Sequence, residues 1–71
     1  MTDNLGLDTI YWRYDTRVPM YTGDRYEITE TKLGGFRLWD ATKDSQISIS
    51  DTLGDAKQEA ELHKQKRFLL R

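Results

Sequence analysis

The side chains able to do acid–base or nucleophilic chemistry are few in this chain, and they are poorly assembled. His63 is the single imidazole among 71 residues, and a histidine works as a general base only when a second group orients it within reach of a substrate. The one carboxylate at helical spacing is Glu59, and an i, i+4 pair of this kind is ordinarily a surface pair. Ser45, Ser48 and Ser50 carry hydroxyls, but no Gly-x-Ser-x-Gly turn is present to activate one. The stretch "DATKD" from Asp40 to Asp44 lacks the alternating acids and the closing bidentate glutamate of a calcium loop. Gly34 and Gly35 lack the lysine and the spacing of a phosphate loop. There is no cysteine, hence no thiolate ligand and no disulfide. The expectation is a protein with no catalytic residues, no metal site and no cofactor.

Binding has better candidates. Trp39, with Arg37 two residues before it, is the pairing of side chains enriched at the energetic centres of protein interfaces. "TIYWRYDTRVP", from Thr9 to Pro19, adds Tyr11 and Trp12. These four residues, Trp39, Arg37, Trp12 and Tyr11, are the expected partner contacts. The alternative is a nucleic-acid surface built from Lys64, Lys66, Arg67 and Arg71, with aromatic stacking on the sheet.

The elements that position these residues are read from periodicity. Residues 1–8 show no period and are expected to fray. In the extended segment 9–24, Ile10, Trp12 and Tyr14 alternate with Tyr11, Arg13 and Asp15, so a fourth strand is expected there, ended by Pro19 and a turn at "YTGD". A β-meander follows over 25–53. Its first strand sets Tyr26 and Ile28 on one face, Gly34 and Gly35 turn the chain, and "FRLWDAT" returns with Phe36 and Leu38 inward and Arg37 and Trp39 outward. "KDSQ" reads as the next turn, and "ISIS" places Ile47 and Ile49 inward against Ser48 and Ser50. A helix over 55–67, capped by Asp55, covers the apolar face with Ala56, Ala60 and His63. Arg67–Arg71 ends the chain as a basic, apolar tail. Two alanines bury little area at about 25 cal/mol per Å². The opening aromatics are therefore expected to complete the core, or else two copies associate into a homodimer through that segment or the tail.

Composition sets the outer limits. A chain of this length forms one domain with one small core. Residues 1–62 hold seven basic and twelve acidic side chains, whereas residues 63–71 hold four basic and no acidic ones. A polyanion would thus have to meet the tail, and the outer face of the sheet is not a basic patch. Neither a signal-peptide pattern nor an apolar run of about 18 residues occurs, so a cytoplasmic protein with no membrane partner is expected.

"RYEITETKLGGFRLWDATKDSQISISDTLGDAKQEAELH", residues 25–62 with the histidine after them, resembles the strand-strand-strand-helix units of small phage and prophage accessory proteins. The likeness rests on an aromatic before the first strand, Gly-Gly-aromatic opening the next, Trp-Asp closing it, and an Ala-x-x-x-Ala helix. The same topology is similar to that of arm-type DNA-binding domains of tyrosine integrases and of double-stranded-RNA-binding-like folds. The resemblance implies a non-enzymatic factor acting by stoichiometric contact with a protein partner. The fold expected is α+β, a three- to four-stranded antiparallel sheet packed by one C-terminal helix.

Overall fold

Alternation over Tyr26–Leu38 dictates a hairpin, and the computed structural model, which describes residues 10–69 and side chains as far as Arg67, builds a larger sheet around it. Its strands are β1 (Arg13–Asp15), β2 (Met20–Gly23), β3 (Tyr26–Glu30), β4 (Phe36–Asp40) and β5 (Ser45–Ser50). They lie in sequence order, each antiparallel to its neighbour. Among the described residues one helix, α1 (Leu53–Leu69), packs across β3, β4 and β5. The architecture is α+β as expected, but the sheet has five strands rather than three or four. No helix among the described residues is long and apolar enough to cross a membrane.

The additional strand comes from the segment read as a turn. Tyr21, Thr22 and Gly23 belong to β2, and the reversal falls on Asp24 and Arg25, where Asp24 takes a left-handed φ of 52°. A two-residue hairpin requires that conformation, and aspartate tolerates it. Pro19 stands just outside β2, so its missing N–H costs no ladder bond. The turn read at Lys43–Gln46 also lies earlier, with Asp44 at φ 53° and Ser45 already in β5. Of the two glycines in the β3–β4 turn, only Gly34 has positive φ, at 95°.

Register sorts the side chains into two faces. Tyr14, Tyr21, Ile28, Leu38 and Ser48 form one inward row, and Gly23, Tyr26 and Asp40 the next. Ile10, Tyr26, Ile28, Leu38, Ala56 and Ala60 are buried together, with Trp12, Tyr21, Phe36, Ile47 and Leu53 packed around them. Ala56 and Ala60 let the helix backbone approach the sheet, and the opening segment supplies the bulk they lack. Gly23 admits that segment, because a Cβ there would stand 2.6 Å from Ile10 Cγ2 and 3.0 Å from the Tyr11 carbonyl oxygen.

One strand departs from its pattern. Leu38 pairs with Ser48 but Trp39 pairs with Gln46, which leaves Ile47 as an extra residue in β5. Such a bulge re-aims side chains locally. Ile47 packs on the core, while Ile49 pairs with Arg37 on the opposite face and is 57% exposed. The expectation that both isoleucines point inward is corrected, and Ser48 and Ser50 take the inward positions beyond the bulge.

The helix start is also corrected. Thr52, rather than Asp55, provides the cap, with Thr52 Oγ1 accepting from the Asp55 backbone N–H at 3.1 Å. Asp55 sits in the first turn, where a negative charge complements the helix dipole.

Candidate functional site

The reverse face of the sheet follows from the same register. One row runs Arg13, Thr22, Glu27, Trp39 and Gln46 across the five strands, and the next runs Asp15, Met20, Thr29, Arg37 and Ile49. Because α1 and the Ile10 segment lie on the other side, no layer of the described residues covers these rows. Trp39 stands on β4 as a half-buried ring in a hollow of about 210 Å³ that it shares with Glu27, Thr29 and Arg37. Toward the β3–β4 turn the face continues into a wider hollow of about 620 Å³ bordered by Arg37, Ile49 and Leu33. Leu33, at the tip of the turn, is 99% exposed.

Charge on this face is balanced. Arg13 and Arg37 face Asp15 and Glu27, so no field favours a polyanion, while Trp39, Met20 and Ile49 supply apolar area between the charges. A surface of this kind suits a protein, where an aromatic anchor and a guanidinium are held by a rigid scaffold.

The four expected contact residues are divided by the sheet. Trp39 and Arg37 share the reverse face. Trp12 lies on the inner side opposite Gly23 and packs on the core, with its indole N–H buried and unpartnered among the described residues. Tyr11 is 82% exposed beside it, away from Trp39. The structure therefore brings Trp39 and Arg37 together and leaves Trp12 and Tyr11 apart from them.

The basic residues of the alternative are likewise scattered. Arg67 Nη2 pairs with Asp24 Oδ2 at 2.7 Å, and Arg67 Nε donates to Tyr26 Oη at 3.1 Å. Lys64 also has an interaction partner, and Lys66, two residues on, does not share its helix face. Leu70 and Arg71 lie outside the described residues, as do residues 1–9 and the side chains of Phe68 and Leu69.

Sequence reasoning missed two polar clusters that join elements distant in the chain. Asp40, 1% exposed, accepts from Arg25 Nε at 3.1 Å and Arg25 Nη2 at 2.9 Å, and from the backbone N–H groups of Thr42 and Lys43. Burial pushes the Asp40 carboxyl up, but the Arg25 fork and the two backbone donors outweigh it and hold the group below its ordinary 3.8. "DATKD" is thus a turn anchored by a buried ion pair. The second cluster is His63, half-buried, whose Nδ1 lies 2.7 Å from Tyr26 Oη. Arg67 donates to the same oxygen, and a tyrosine hydroxyl proton directed at Nδ1 requires the neutral Nε2–H tautomer of His63. Burial is the main cause that lowers the His63 pKa and raises that of Tyr26. The expected surface pair with Glu59 is replaced by a clamp between α1 and β3. None of the hollows described above is lined by His63.

No protein-family model, curated protein or solved structure matches the chain.

Proposed function

We propose that this chain is a small non-enzymatic binding module that engages a protein partner through the reverse face of its sheet, with Trp39 as anchor and Arg37 beside it. The reading rests chiefly on the place of Trp39, a large aromatic on a central strand, on a face with no covering layer among the described residues and with balanced charge. A tryptophan in that position supplies contact area with little loss of side-chain entropy, and an adjacent guanidinium adds directional hydrogen bonds. A rigid sheet holds both in place before the partner arrives. The resemblance of residues 25–62 to phage accessory proteins agrees with stoichiometric action of this sort in the cytoplasm.

The test is cross-linking from a photoreactive residue at Thr29 on the reverse face, with the protein expressed in its host. A partner captured by the wild type and lost in Trp39→Ala, with unchanged far-UV circular dichroism, supports the reading. Capture that survives Trp39→Ala and Arg37→Glu rejects it. Tight binding to a nucleic-acid oligomer, weakening steeply with salt, would support the basic-residue alternative instead.

A further inference from the structure

The two edges of the sheet are built differently. β1 is three residues long and carries Arg13 and Asp15, with Arg17 bonded to Asp15 just beyond it. Short length and charge are the usual devices that stop a strand edge from pairing with another chain. β5, at the other edge, is six residues long, "SQISIS", and has neither a charge nor a proline in a chain that is 32% charged. No described residue pairs with its outer side. It also exposes Ile49, a branched apolar residue with high strand propensity.

We infer that the β5 edge is an interface with a second copy of this chain, the two strands pairing antiparallel about a two-fold axis at Ile49. A two-fold interface must be complementary to itself. Antiparallel pairing centred on Ile49 sets Ile49 against its own counterpart and places Ser48 and Ser50 opposite Ser50 and Ser48 of the other copy. The bulge at Ile47 bends the first half of the strand, which leaves Ser48–Ser50 as the regular part able to pair. Arg37 lies one strand inward from this edge, so the two guanidinium groups stay three strand spacings apart, about 14 Å. Because the β1 edge is blunted, association closes at two copies instead of continuing into a filament. This interface is independent of the Trp39 anchor, and the pairing would join two reverse faces into one surface.

Sedimentation equilibrium of the full chain, at concentrations well above micromolar, is expected to give twice the 8.4 kDa chain mass. Ile49→Lys, which sets like charges directly opposite each other, is expected to halve that mass with unchanged far-UV circular dichroism, whereas Tyr11→Lys leaves it alone. A second measurement covers the case in which Ile49→Lys loses its fold. The chain has no cysteine, so Ile49→Cys introduces a single thiol, which is expected to form a covalent dimer on mild oxidation while Leu33→Cys does not. A wild-type mass equal to one chain overturns the inference. So does a dimer that survives in folded Ile49→Lys, or an Ile49→Cys thiol that links no faster than Leu33→Cys.

Discussion

The hydroxyl of Tyr26 on β3 and Nδ1 of His63 on α1, 37 residues apart in the chain, are joined by a 2.7 Å hydrogen bond that holds the helix to the sheet. With Arg67 also donating to the tyrosine oxygen, a hydroxyl proton directed at Nδ1 requires a neutral imidazole. Protonating His63 would place donors on both sides of that oxygen and leave the hydroxyl proton without its acceptor.

This arrangement fixes the sign of a pH effect. Burial lowers the folded pKa of His63 below its ordinary 6.5. The unfolded chain therefore takes up the proton first as the solution is acidified. The stability that His63 contributes is fully present above pH 6.5 and is lost as pH falls through the lower folded value. Thermal melts at a series of pH values between neutral and mildly acidic should show Tm decreasing in the wild type. The slope should flatten in His63→Gln, since no second histidine titrates there.

Asp40→Asn should be among the more costly polar substitutions. It leaves Arg25 facing a neutral amide at a buried position and weakens the acceptor for the Thr42 and Lys43 N–H groups. Breaking a buried pair costs about 3 kcal/mol, and the partial exposure of Arg25 brings the expected loss to about 2 kcal/mol by urea unfolding. The wild-type contribution is present above pH 3.8 and lost as pH falls through the depressed folded value.

Gly23→Ala tests the passage of the opening segment over the sheet. The added methyl would meet Ile10 Cγ2 at 2.6 Å, the Tyr11 carbonyl at 3.0 Å and the Trp12 ring at 3.1 Å, and one of these is backbone. Overpacking of this kind costs about 1–3 kcal/mol. A shift in Trp12 fluorescence should accompany the lower Tm, as Ile10 and Trp12 are displaced from the core.

Ala60→Leu tests the closeness of helix and sheet. Ala60 is fully buried in the cluster with Ile28 and Leu38, so a larger side chain must push α1 outward. The expected loss is about 2 kcal/mol, whereas the same exchange at exposed Gln58 should change stability by less than about 0.5 kcal/mol.

The hairpin of β3 and β4 was legible because period-2 alternation and a glycine turn agree, and Tyr26, Ile28 and Leu38 are buried where that pattern places them. The placement of Arg37 and Trp39 on the other face followed from the same alternation. What was not legible had physical causes. Period 2 holds only while pairing is regular, so one extra residue at Ile47 carried Ile49 to the opposite face with no sign in "ISIS". Asp24 turned the chain by adopting left-handed φ, which aspartate does less visibly than glycine, and β2 was hidden as a result. The Tyr26–His63–Arg67 and Arg25–Asp40 clusters join residues brought together only by the fold, and no local spacing encodes them.

The meander pairs every strand with the one made just before it, which keeps most contacts short in sequence and favours rapid folding. Because α1 follows all five strands in the chain, the sheet is translated ahead of the helix that covers it. Any species with the sheet formed and α1 undocked leaves Ile28, Leu38 and Tyr26 without their helical cover, and that species is the one most prone to aggregate.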